Sequence, residues 1–153
     1  MKRIISITSA LAIFTSIHAQ LYVSNDASVS IGNSATISVK GNVLNNGIIQ
    51  NDGTFRLSGN FDNEKNCNSE GTFILTGGDQ TIYHKNTFFS TLICSGTGIK
   101  TFTSNISITK QLELISGLIK PQKSTVFLMK KGSAISDGNT ESYIDGMLYW
   151  EGS

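Results

Sequence analysis

Histidine, cysteine, proline and charge are all scarce in this chain of 153 residues, and each shortage removes a class of explanation. Of two histidines only His84 lies beyond the N-terminal segment, which rules out a histidine cluster for a metal within one chain. Standing alone, His84 reads as a loop residue. Gln20, not a cysteine, stands directly after Ala19, which argues against a lipid anchor of the bacterial lipoprotein kind. Charged residues make up 15% of the chain, and Lys130-Lys131 is the only adjacent basic pair outside the first three residues. Nucleic acid and anionic membrane surfaces need clustered Lys and Arg, so neither is expected as a partner. Nowhere after residue 19 do apolar residues recur at three and four over a dozen positions without Gly, Asn or β-branched interruption, so no helix is expected. No Gly-x-Ser-x-Gly elbow, phosphate loop, Cys-His arrangement or calcium-binding nonapeptide is present. No cofactor and no metal are therefore expected.

Lys2 and Arg3 precede an apolar stretch from Ile4 to Ile17 and the small residue Ala19. That order reads as a secretory signal peptide over residues 1–19, and the run is too short and too rich in Ser and Thr for a membrane span. Its removal takes the formal charge from +1 to −1. Residues 20–153 then form one domain, either complete or the front part of a longer protein, with no transmembrane helix. The expected location is outside the cell or on its surface, with the secretion machinery as a partner.

Glycine is the abundant element. Gly41, Gly47, Gly53, Gly59, Gly71 and Gly77 share one six-residue register, and Val43, Ile49, Phe55, Phe61 and Phe73 follow two places after five of them. Only the slot at Lys65 is missed, inside the polar stretch from Asp62 to Glu70. A longer period overlies the hexad: Ile37-Ser-Val39-Lys-Gly41 recurs eighteen residues later as Phe55-Arg-Leu57-Ser-Gly59, and again as Phe73-Ile-Leu75-Thr-Gly77. Three hexads per repeat predict a coil of three short strand faces with glycine at the bends, where positive φ or close backbone approach is needed. Ile37, Phe55 and Phe73 then stack as one internal ladder, and Val39, Leu57, Leu75 and Ile93 as a second.

The fold predicted is all-β, a parallel β-solenoid with right-handed winding favoured. Tight Asn-Gly, Asp-Gly and Ser-Gly turns also suit antiparallel hairpins, so a β-sandwich is the alternative. In the second half Ile106, Leu112 and Leu118 form one line and Ile108 and Leu114 another, in a shifted register. An insertion around residues 84–87 or 95–99 would produce that shift, and Pro121, the only proline, suits a corner.

The segments Gly41 to Gly53, Gly71 to Ile82, Phe88 to Ile93, Leu112 to Ile119 and Ser142 to Gly146 resemble the repeat region of secreted and surface proteins of Bacteroidetes. The resemblance implies export by the type IX secretion system, usually with a C-terminal sorting domain, which residues 20–153 do not contain.

Four carboxylates, Asp52, Asp62, Glu70 and Asp79, would have to converge for a polysaccharide-active β-helix enzyme. Each lies in an Asn/Gly-rich turn or the polar stretch, where Asp also serves simply to cap turns, and no catalytic residue is assigned. Cys67 and Cys94 are either a disulfide, contributing roughly 3 kcal/mol, or two unpaired residues, with Cys94 a small core hydrophobe. Tyr83, Tyr143, Tyr149 and Trp150 are candidate glycan-contacting aromatics, with Tyr149 and Trp150 the pair assigned. Alternatively, residues 143–150 form a final hairpin turning at Asp145-Gly146, its rings capping the open end of the coil. The leading expectation is a noncatalytic, adhesin-like structural scaffold at the bacterial cell surface, with extracellular glycans or surface proteins as further partners. The alternatives are the enzyme and a carbohydrate-binding module.

Overall fold

The computed structural model describes residues 20–85 and 88–152, so the signal peptide assigned to residues 1–19 lies outside the described residues. Every element described is a β-strand, and the strands wind as a parallel β-solenoid of about six turns. The first coil holds β1 (Leu21–Val23), β2 (Ser28–Ile31) and β3 (Thr36–Val39). The second holds β4 (Val43–Asn45), β5 (Ile48–Asn51) and β6 (Thr54–Leu57), and the third β7 (Phe61–Asn63), β8 (Asn66–Asn68) and β9 (Thr72–Leu75). Then come β10 (Gln80–His84) with β11 (Phe88–Cys94), β12 (Ile99–Phe102) with β13 (Ile106–Leu114), and β14 (Leu118–Pro121) with β15 (Phe127–Met129) and β16 (Ala134–Ser136). A last strand, β17 (Leu148–Trp150), opens a partial further turn. All strand pairs are parallel, which excludes the antiparallel sandwich.

Three strand faces result. The first sheet runs β1-β4-β7-β10-β12-β14 and the middle one starts as β2-β5-β8. The third runs β3-β6-β9-β11-β13-β15-β17, and β16 also pairs with β13. In the long strands two faces merge without a corner. Phe88–Phe89 of β11 pairs with Ser107–Ile108 and Thr91–Cys94 with Gln111–Leu114, with a register shift between Phe89 and Thr91.

The eighteen-residue ladder is present residue for residue in the first three coils: Ile37 pairs with Phe55 and Phe55 with Phe73, while Val39 pairs with Leu57 and Leu57 with Leu75. Alternation along each strand turns one side chain in and the next out. Phe55 and Phe73 stack with ring centroids 5.0 Å apart and planes 17° apart, and Phe61 and Phe89 each approach Phe73 to 5.0 Å. Each such phenylalanine, fully buried, contributes about 1.5–3 kcal/mol.

Beyond coil three the ladder departs from the expectation. Leu75 pairs with Cys94, so Cys94 takes the core rung assigned to Ile93, which pairs with Ile74 on the outer side. Ile106, Ile108, Leu112 and Leu114 are buried as expected, but in the line of Leu118 it is the neighbour Ile119 that is buried. The connection from third to first sheet runs from Leu57 to Phe61 early on, but from Leu75 to Ile82 and from Cys94 to Phe102 later. The lengthening therefore includes residues 95–98, within one expected insertion, and residues 76–79, ahead of the other. Pro121 ends β14 at the edge of its sheet, where no further ladder needs its missing N–H.

The glycine register reports close approach. Gly47, Gly53, Gly59, Gly71 and Gly77 are absent from the positive-φ residues, whereas a Cβ on Gly71 would run into the carbonyl oxygen of Gly53 one coil below. Gly53 meets Gly32 in the same way, so corner glycine stacks on corner glycine.

Candidate functional site

The polar groups that the coil buries line its corners. Asn45, Asn63 and His84 stack where the first sheet turns toward the middle one, and all three are fully enclosed. Asn45 Nδ2 donates to Asn63 Oδ1 at 2.6 Å and to the Asn66 carbonyl at 3.0 Å, while Asn45 Oδ1 accepts from the Gly47 N–H at 3.1 Å. Asn63 Nδ2 in turn donates to the Lys65 carbonyl at 3.0 Å and reaches His84 Nδ1 at 3.1 Å.

His84 is therefore no loop residue, as its isolation in the sequence suggested. It ends β10 with its ring edge-on to Phe61 and Phe89, at 5.8 and 4.8 Å. Burial lowers its pKa to about 4, against an opposing contribution from the Phe88 backbone, so the ring is neutral at pH 7. Nδ1 is then assigned as acceptor of the Asn63 bond, and Nε2 has no hydrogen-bond partner.

A second buried pair, Gln80 and Lys100, sits in register where the third sheet turns into the first. Gln80 Oε1 accepts from the Gly77 N–H at 3.1 Å and its Nε2 donates to the Leu57 carbonyl at 3.2 Å. Lys100 Nζ lies against four main-chain carbonyls: Gly77 at 2.9 Å, Gly78 at 2.6 Å, Gly96 at 3.1 Å and Thr97 at 2.6 Å. An ammonium has three donors, so the four oxygens share them. Burial lowers the Lys100 pKa, with Cys94 and Asp79 acting the other way. This cation ties two successive corners together from inside.

Cys67 and Cys94 are free, buried thiols on different sheets, β8 and β11. Cys67 occupies the core rung above Ile49, with Ser69 Oγ 3.4 Å from its sulfur. Burial raises their pKa values to about 11 for Cys67 and about 12 for Cys94. The polar stretch from Asp62 to Glu70 takes in most of β7 and all of β8, and outward Asp62 with Glu64 and Lys65 of the turn between them masks inward Asn63 and Cys67.

The four carboxylates are spread around the coil. Asp52 and Glu70 lie at the corner from middle to third sheet, Asp62 on the outer face of the first, and Asp79 at the corner from third to first. Asp52 accepts from Gln50 Nε2 at 3.0 Å and Asp79 from the Ile99 N–H of the next coil at 2.8 Å, neither bond being the local turn cap expected of these residues. Among the described residues no group of His, Cys, Asp and Glu is arranged to hold a metal.

Tyr149 and Trp150 do not form a hairpin. β17 continues the solenoid in parallel with β15, pairing Leu148 with Phe127 and Trp150 with Met129. Tyr149 and Trp150 are about half exposed, 52% and 53%, Trp150 continuing the inward line of Met129 and Tyr149 the outward line of Leu128. No helix among the described residues is long and apolar enough to cross a membrane. Comparison with known proteins gives no match, whether to a family model, to curated proteins or to solved structures.

Sequence reasoning passed over Asn63 and Lys100, whereas Tyr83 was among its candidate aromatics. Asn63 was within reach, since it follows Asn45 by eighteen residues; Lys100 was not, because nothing in its sequence setting distinguishes an enclosed lysine from a solvated one.

Proposed function

We propose that residues 20–153 are a noncatalytic, adhesin-like scaffold outside the cell, exported behind the N-terminal leader. The observation that carries this reading is the use made of the interior: stacked Phe, Leu, Ile and Val rungs and hydrogen-bonded corner columns fill it, leaving its chemistry to the outer faces. An enzyme of the polysaccharide-active kind needs carboxylates on one face, and of the four only Asp52 and Glu70 share a corner, with Asp62 and Asp79 placed elsewhere on the coil. Export agrees with the basic, apolar and small-residue order of residues 1–19.

Fractionation of the native cells, followed by N-terminal sequencing of the recovered protein, tests the proposal. Recovery from the surface or medium with Gln20 as first residue is the expected result. Recovery from the cytosol with the leader intact overturns the location. Glycan cleavage that Asp62→Asn or Asp79→Asn abolishes overturns the noncatalytic assignment.

A further inference from the structure

The outer face of the first sheet carries an open cleft of about 360 Å³, within the size range of small-ligand sites. Tyr83, half-buried, stands in direct register with Asp62 on the neighbouring strand, and Glu64 follows at the end of β7. Asn60, Thr81 and Thr103 complete the polar lining. The Asn60 carbonyl is already engaged by the Thr81 N–H at 2.8 Å, which leaves its amide hydrogens as donors. Thr103 donates its hydroxyl hydrogen to the Ile82 carbonyl at 3.3 Å, which leaves its lone pairs as acceptors. The two ion pairs found among the described residues, Lys120–Asp145 and Lys130–Glu151, involve neither Asp62 nor Glu64. Asn60 and Thr81 also line an adjoining depression over Thr101 and Lys120, so the cleft extends across the strands.

Three kinds of recognition meet there. A flat ring packs on the apolar face of a sugar, hydroxyl and amide groups read its hydroxyls, and two unpaired carboxylates beside a π face attract an ammonium. Parallel strands repeat the outward groups about every 4.8 Å along the solenoid, which suits a polymer better than a single small molecule. We propose that this cleft binds a glycan bearing free amino groups, a polymer of unacetylated hexosamine, with Tyr83 as the stacking platform and Asp62 and Glu64 as the amine-binding carboxylates. The assignment goes beyond the scaffold reading and borrows from it only the extracellular setting in which such a polymer is met. Binding is measured on purified protein, so its failure leaves the fractionation result untouched.

The test is isothermal titration of the purified chain, at low salt and pH 6, with a glucosamine tetramer, its fully N-acetylated counterpart and tetralysine. The glucosamine tetramer is expected to bind at least tenfold more tightly than either control. Tyr83→Ala and Asp62→Asn are each expected to weaken it tenfold or more, while Thr36→Ala, exposed on β3 of the third sheet, leaves it unchanged. Asp62 is exposed, so its variant keeps the test open should Tyr83→Ala fail to fold. No binding, equal binding of the acetylated tetramer, equal binding of tetralysine, or full binding by Asp62→Asn overturns the proposal.

Discussion

Asn63 lies one coil above Asn45 and accepts its amide hydrogen at 2.6 Å, both side chains being wholly enclosed. Their backbones are register partners in the first sheet, so the bond repeats in the side chains what the strands do in the main chain. Asn63→Ala removes the acceptor of Asn45 and the donor to His84 in one step. Orphaned buried polar groups cost about 1–3 kcal/mol each, which for these two predicts a loss of about 2–6 kcal/mol in urea unfolding at pH 7. An unchanged midpoint would remove the corner column from the list of stabilising features.

His84 makes stability depend on pH in a defined window. Its folded pKa is near 4 and its ordinary value 6.5, so between those values the unfolded chain binds the extra proton and stability rises with pH. The gain reaches about 3 kcal/mol by pH 6.5 and is flat above it. His84→Gln is expected to abolish this contribution. Urea midpoints from pH 4 to 7 that vary identically in the two proteins would show that His84 is not the titrating group.

Two glycines of similar sequence setting are expected to differ sharply. A Cβ at Gly71 collides with backbone of the preceding coil, whereas one at Gly78 meets nothing within 4 Å. Gly71→Ala forces the coils apart and is predicted to cost about 1–3 kcal/mol or more, the range for overpacking. Gly78→Ala is predicted to stay within about 0.5 kcal/mol of the parent. Thermal unfolding of the pair decides whether close approach underlies the register.

That register is also why the first three coils were readable in advance. Corner approach demands glycine at a fixed step, and the rungs Ile37, Phe55 and Phe73 follow from counting. Counting failed where a corner lengthened, so the fourth rung was placed at Ile93 when Cys94 occupies it. It failed again at β8, where two asparagines flank the single inward Cys67 and the charged Glu64 and Lys65 precede it. Asp145-Gly146 reads locally as a hairpin turn, yet the free edge of β15 draws β17 into parallel pairing. Asp62 and Tyr83 stood out separately in the sequence, but their meeting did not: they are twenty-one residues apart and pair only because their coil is longer than eighteen.

The cysteines offer a separate test. Buried thiols with raised pKa values resist alkylation, so the native protein is expected to react with thiol reagents hardly at all at pH 8. Unfolding without reductant should release two reactive thiols. Release only after adding reductant would establish the Cys67–Cys94 bridge instead.

The parallel stack itself is tested most directly by cross-linking across one outward rung. Thr54 and Thr72 are register partners on β6 and β9, and neighbouring strands lie about 4.8 Å apart, within the reach of a disulfide. Thr54→Cys/Thr72→Cys is predicted to oxidise rapidly and quantitatively, while Thr54→Cys/Ile74→Cys, two residues out of register, remains reduced. Equal oxidation of both pairs, or none of the first, would contradict the eighteen-residue solenoid.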